Sequence, residues 1–312
     1  MLIKRNEYLE NIRRFYDSNL IKVLTGVRRC GKSVLLDQIK EELLSEKGIE
    51  NNHIIFINFE NVKFSKIKNY IKLNDYILKQ IIDDDKYYIF LDEIQHVNQF
   101  EKTLASLKAT QNVSLFVTGS NSKLLSGRLA SLLVGRCKEF KIMPFSYSEF
   151  LNYYDINGLK YPDKPLHNYI RYGGMPQRVD YETEEEYLKS IYYGIVDKDI
   201  CNTKAKINKE TFLTISKYII NNASKEFSVP NIVDYYNQNN ADKIYCENVY
   251  RYLEKLEKAC LISRVKRYDI ATKRTLRQIE KQFVVDNGFL LACSDSNKIF
   301  IAHALENLVY NE

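Results

Sequence analysis

The 312-residue chain has no tryptophan, no C-x-x-C pair, no internal repeat and no apolar run near the ~20 residues that cross a bilayer. These absences exclude a membrane span and a cysteine-built zinc or redox motif. The opening residues MLIKRNEYLE carry charges where a secretory leader would carry an apolar run, so cytoplasm is the expected location. Six cysteines stand singly at Cys30, Cys137, Cys201, Cys246, Cys260 and Cys293, which fits reduced thiols. A Lys-, Asn- and Ile-rich vocabulary without Trp reads as the base composition of the genome. The charge excess is mild: 46 basic against 40 acidic residues, net +6, compatible with nucleic acid but no argument for it. What is present is ample for folding. The chain is 45% hydrophobic with 24 Tyr and 15 Phe, which suits two or three globular domains with sizeable cores.

The first half alternates apolar β-branched runs with helical stretches. IKVLTG (21–26), HIIFINFE (53–60), YYIFLDE (87–93), NVSLFVTGS (112–120) and CKEFKIM (137–143) read as strands. Helices are expected over about 32–45 and 66–82. Continuous apolar strands separated by helices predict a parallel sheet covered on both faces, an α/β domain.

The segment GVRRCGKS matches G-x-x-x-x-G-K-[ST] at Gly26, Gly31, Lys32 and Ser33. In such a loop the glycines let successive N–H groups curl inward around a phosphate, at the positive end of the following helix. Residues 26–34 (Gly26, Val27, Arg28, Arg29, Cys30, Gly31, Lys32, Ser33 and Val34) are therefore the candidate nucleotide contacts. Lys32 would reach the β- and γ-phosphates, and Ser33 would take one position on Mg²⁺. An apolar strand precedes the loop and a helix starts at the lysine, as the motif requires. Arg28 and Arg29 sit where side chains face outward. They are expected to be solvated or packed on the following domain, or else to touch a phosphate or an acidic partner.

A second constellation closes the third strand, at Asp92 and Glu93. An aspartate there holds Mg²⁺, and the adjacent glutamate polarises the attacking water. Gln95 and His96 follow as γ-phosphate sensors or surface residues. The fourth strand ends in Thr118 and Ser120, whose hydroxyls would lie beside the γ-phosphate if this strand runs between the first and third. Asn121 caps the next helix or shares that place. Arg136, ahead of the fifth strand, is a candidate arginine finger in cis or from a neighbouring subunit, or else a structural salt bridge.

GVRRCGKS, INFEN, FLDEIQ, VTGSNSKLLSG, LVGRCKEFKIMPFSYSEF and YGGMP follow one another in this order. Together they resemble the prokaryotic AAA-like P-loop ATPases with a C-terminal domain of unknown function of the DUF4143 type, related to archaeal and STAND NTPases. The resemblance implies Mg²⁺–ATP binding and slow hydrolysis, carried by Gly26, Gly31, Lys32, Ser33, Asp92 and Glu93, and further by Arg136. It also implies a winged-helix region and then a nuclease-like fold, at whose start this sequence stops.

After LKYPDKP (159–165) helices dominate, broken at YGGMPQ (172–177). Helices over 209–222, 229–236 and 246–259, then two strand-like segments, give the order of a winged helix-turn-helix. The expected divisions are a P-loop ATPase domain (1–158), a helical lid or linker (159–205), a winged-helix domain (206–290) and the start of a truncated domain (291–312). The third helix mixes Glu247, Glu254 and Glu257 with Arg251, Lys255 and Lys258, a poor face for phosphate. Arg264, Lys266, Arg267, Lys273, Arg274 and Arg277 make a denser cluster that would suit a duplex backbone. The functional expectation is an ATP-driven molecular switch coupled to the winged helix, with ATP/ADP and Mg²⁺ as ligands. The alternatives are a DNA-binding regulator with structural nucleotide, or a protein-interaction scaffold.

Overall fold

The computed structural model describes residues 2–119, 135–201, 207–269, 274–294 and 300–312, with the side chains of Phe227, 267–269 and 274–279 excepted. Contacts divide the chain into two units. One comprises Lys4–Gly26 and Gly31–Ile142; the other comprises Met143–Glu312 with Met1–Ile3 and Val27–Cys30. Among the described residues no helix is long and apolar enough to cross a membrane.

The N-terminal unit is built on five parallel strands: β1 (Ile21–Thr25), β2 (Ile54–Asn58), β3 (Tyr87–Asp92), β4 (Val113–Gly119) and β5 (Cys137–Lys141). Their order is β2-β3-β4-β1-β5. Every residue of β1, β3 and β4 is buried, which is what apolar runs without alternation require of strands covered on both faces. Edge strand β5, CKEFK, is largely exposed. Among the described residues its α-helices are α1 (Asn6–Arg13), α2 (Lys32–Ser45), α3 (Tyr70–Leu78) and α4 (Phe100–Thr110). Helix α3 is shorter than its apolar pattern because Asn69 caps it, accepting from the Lys72 N–H at 3.1 Å. Ile55, Ile57, Leu73, Ile77, Ile89, Leu91, Leu104, Leu107, Leu115 and Val117 form one buried cluster.

The C-terminal unit is mainly helical: α5 (Tyr147–Asn157), α6 (Pro165–Tyr172), α7 (Glu184–Ile195), α8 (Lys209–Asn221), α9 (Val229–Asn239), α10 (Cys246–Lys258), α11 (Gly288–Cys293) and α12 (Ile301–Asn311). Helix α7 continues as a π-helical segment, Val196–Cys201. Helices α8 to α10 bury Phe212, Ile215, Ile219, Ile232, Val249, Leu253 and Leu256. Strands β7 (Ile262–Asp269) and β8 (Arg274–Val284) form the antiparallel hairpin expected after them, and the two-residue β6 (Glu226–Phe227) pairs with β8. The lid, the three-helix region and the last 22 residues, expected as separate segments, all lie in this unit.

Its YGGMP turn is held from far along the chain. The Asp286 carboxylate accepts the Gly174 N–H at 2.6 Å and the Gly288 N–H at 2.8 Å. Arg178, 1% exposed, donates to the Gly173 carbonyl at 2.7 Å and to Asn168 at 2.8 Å, and pairs with Glu184. A Cβ on Gly174 would fall 2.0 Å from the Phe145 carbonyl oxygen. The α12 helix is integral to the unit: buried Asn307 accepts the Val284 N–H and donates to the Val284 carbonyl, as a neighbouring strand would.

Candidate functional site

The phosphate loop joins β1 to α2. Gly31 stands at the N-cap of α2 with φ +102°, a region that side chains disfavour, and no side chain caps the helix. A helix N-terminus without a side-chain cap is suited to an anion. Lys32 is 4% exposed, and its ammonium donates to the Gly26 carbonyl at 3.0 Å. Arg29 takes a left-handed conformation, φ +67°, inside the loop.

Strand β4 lies between β1 and β3, so the polar ends of all three strands meet beside the loop. In register, Asn58 on β2 lies opposite Asp92 on β3. Asp92 is fully buried and accepts from Asn58 Nδ2 at 2.9 Å, from the Thr118 hydroxyl and from Ser33. Burial pushes the Asp92 carboxyl above the usual carboxylate range, against the pull of the Thr118 and Ser33 hydrogen bonds and the Lys32 charge. The Thr118 hydroxyl oxygen also accepts the Glu93 N–H at 2.9 Å. Glu93 is buried, with φ +55° and ψ +46°, and its carboxylate accepts from the Gln95 amide. His96 is exposed.

The loop and the acidic strand end, 60 residues apart in sequence, therefore converge: Lys32, Ser33, Asp92 and Glu93 share one corner of the sheet. Asn58 joins them although no motif marked it. Its signal was the final polar position of an apolar strand, INFEN. Thr118 is in this corner, with Asp92 and Glu93 as its partners. Ser120 and Asn121 lie outside the described residues.

Arg136 is elsewhere. It is exposed, and its carbonyl accepts from the Ile21 N–H at the start of β1, the sheet end away from the loop. With Cys137 beside Ile21 and Lys141 beside Thr25, the parallel register sets Arg136 a full strand length from the phosphate loop. The expectation of an arginine finger in cis is corrected on that ground.

Val27 and Cys30 are buried, and residues 27–30 group by contact with the C-terminal unit. Within that unit Arg28 pairs with Asp199 of the π-helical segment at 3.3 Å, and the Arg29 guanidinium lies 5.8 Å from the centre of the Tyr187 ring. In the hairpin, Arg264 is engaged by Glu257 at 2.6 Å and by Glu280 at 3.7 Å, and Glu254 pairs with Lys258. Lys266 is exposed; the side chains of Arg267, Lys273, Arg274 and Arg277 lie outside the described residues.

A family model described as an AAA domain matches residues 18–151, and one described as a domain of unknown function (DUF8612) matches 163–298. An uncharacterized protein of Haemophilus influenzae is 33% identical over 317 residues, covering all of this chain and 78% of its own length. The chain belongs to that protein's family. An uncharacterized protein of Methanocaldococcus jannaschii, MJ1544, is 31% identical over 306 residues, which are 94% of this chain and 66% of the relative. Among solved structures, the Aeropyrum pernix ORC2 protein in its ADPNP–ADP complexes aligns with TM-score 0.48 at 12% identity, over 98% of this chain and 92% of that one. The N-terminal AAA domain accords with the resemblance read from the motifs. The second half is matched by DUF8612, which spans the expected helical lid and three-helix region together; the DUF4143-type domain expected to begin near residue 291 is not shown.

Proposed function

We propose that the protein is a Mg²⁺-dependent ATPase. The observation that carries this reading is the convergence on Asp92: the last residue of β3 receives Ser33 of the phosphate loop while Lys32 lies close enough to bias its charge. Main-chain N–H groups of residues 27–34 would hold the β- and γ-phosphates, and Lys32 would exchange the Gly26 carbonyl for a phosphate oxygen. The donor set fits a hard divalent cation, since Ser33 and Asp92 offer a hydroxyl and a buried carboxylate side by side. Such an ion would neutralise charge on the transferred phosphoryl group. Glu93 would accept the proton of the attacking water, with Gln95 setting its orientation.

This reading extends to a nucleotide-driven switch coupled to the three-helix-and-hairpin region, which we read as a winged helix. Its support is the pairing of Arg28 with Asp199, which ties a residue of the loop to the π-helical segment. Duplex DNA is a weaker partner for that region, because Arg264 of the basic cluster is already neutralised by two glutamates.

Two variants test the ATPase. Lys32→Ala removes the ammonium, and ATP binding by fluorescence or calorimetry should be lost. Glu93→Gln should keep ATP binding while phosphate release falls by about 100-fold or more, the usual yield of a general base. Full turnover by Lys32→Ala would overturn the assignment.

A further inference from the structure

We infer that Thr118 is a positioning residue that couples the Asp92 carboxylate to the main chain of Glu93, and that it is not a phosphate ligand. The inference rests on the ATPase reading and adds a residue to it.

The hydroxyl is committed twice. Its oxygen accepts the Glu93 N–H at 2.9 Å, and its proton goes to Asp92 Oδ1. The two bonds are mutually consistent, because a hydroxyl that accepts from an amide is left with its proton for the carboxylate. Thr118 is fully buried in the central strand β4, with Asp92 and Glu93 on the adjoining strand end. Neither partner is placed by local preference alone. Glu93 is one of five non-glycine residues described with positive φ, and a glutamate in that conformation needs surroundings that hold it there. The Glu93 N–H in the grip of Thr118 supplies that hold. Asp92 needs its donors because it is buried and ionisable. Asn58 secures its other oxygen, at 2.9 Å. Of the two acidic residues Asn58 thus reaches only Asp92, whereas Thr118 reaches the Asp92 carboxylate and the Glu93 main chain. The hydroxyl fixes the Glu93 backbone, from which the proton-accepting carboxylate springs, against the carboxylate that would hold the cation, and a small error there is costly to rate.

The experiment uses the full chain with Thr118→Val, Thr118→Ser and Asn58→Ala. For each, ATP affinity, kcat and KM are measured, and amide hydrogen exchange at Glu93 is read by NMR. Thr118→Val should lower kcat by about 100-fold with little change in ATP affinity, and should release the Glu93 amide to fast exchange. Thr118→Ser, which keeps the hydroxyl, should restore both. Asn58→Ala should weaken the Mg²⁺ dependence and leave the Glu93 amide protected. If the Glu93 amide stays protected in Thr118→Val, or if ATP affinity falls as far as kcat, the inference is overturned. A wild-type chain without turnover, but with a Glu93 amide released only in Thr118→Val, would sink the ATPase reading and keep the coupling.

Discussion

Two buried carboxylates, one in each unit, meet the same electrostatic demand by different means. Asp92 is fully buried and Asp286 is 5% exposed, and burial raises both above the usual carboxylate range, Asp286 to about 6. The donors to Asp92 are side chains: Asn58, Thr118 and Ser33. The donors to Asp286 are main-chain N–H groups of Gly174 and Gly288. The Ser33 hydroxyl can rotate and the Asn58 amide can swing, so this part of the Asp92 shell can give way to a cation. Main-chain donors between packed elements cannot. On the proposed reading, the difference separates a carboxylate that would serve chemistry from one that pins a fold.

The largest effect expected from that contrast is at Gly174. A methyl group there would meet the Phe145 carbonyl oxygen at 2.0 Å and the Tyr169 ring at 3.0 Å, and the backbone has no flexible end to move aside. Gly174→Ala should therefore cost about 4 kcal/mol or more, in the range reserved for severe overpacking. Denaturant unfolding of the C-terminal transition measures it. Asn58→Ala, which deletes one donor to Asp92, should cost only about 1–2 kcal/mol. Comparable losses for the two variants would break the contrast.

Lys22 sharpens it from the opposite sign. This lysine is fully buried in β1; its ammonium donates to Ser114 Oγ at 2.7 Å and lies 4.4 Å from the centre of the Phe116 ring. Burial first, then the charges of Lys86 and Lys108, lower its pKa to about 7, with Asp17 opposing weakly. The folded value lies below the ordinary lysine value, so folding releases a proton between the two. The penalty is fully present below pH 7 and is relieved as pH rises toward 10.5. Lys22→Met should therefore stabilise the N-terminal unit by about 3 kcal/mol at pH 6, with a smaller gain at pH 9. Thermal melts at the two pH values check both size and direction.

These residues also show how far the chain could be read in advance. The parallel sheet was legible because burial on both faces leaves strands of uninterrupted apolar residues, as in YYIFLD. The loop was legible because glycines at fixed spacing have one backbone use. Asn58 was not, since its bond to Asp92 spans 34 positions and leaves no local pattern. Asp286 was hidden further, 112 positions from Gly174. YGGMP reads as a turn in isolation; only the Asp286 carboxylate and the Phe145 carbonyl explain why two glycines are required. Arg136 misled because nearness in sequence to a strand does not say which end of the sheet the strand begins at.

The finest test of the comparison is the same isosteric change at both carboxylates, where Asp92→Asn carries the smallest effect expected. Asp286→Asn turns an amide NH₂ toward one of two fixed N–H donors, and a buried donor facing a donor costs about 1–3 kcal/mol. Asp92→Asn meets the Ser33 hydroxyl, which can reverse its role, and it removes a buried charge, so its stability should stay within about 1 kcal/mol of wild type. The pH dependence carries the sign. Asp286 is raised to about 6 in the fold, so its contribution is greatest below the ordinary aspartate value and is lost as pH rises through 6. The gap between wild type and Asp286→Asn should therefore narrow from pH 4 to pH 7, as followed by urea midpoints. A gap that widens over that range, or an Asp92→Asn variant as unstable as Asp286→Asn, would mean that main-chain and side-chain donors hold a buried carboxylate equally firmly. The assignment of one as site and the other as pin would then fail.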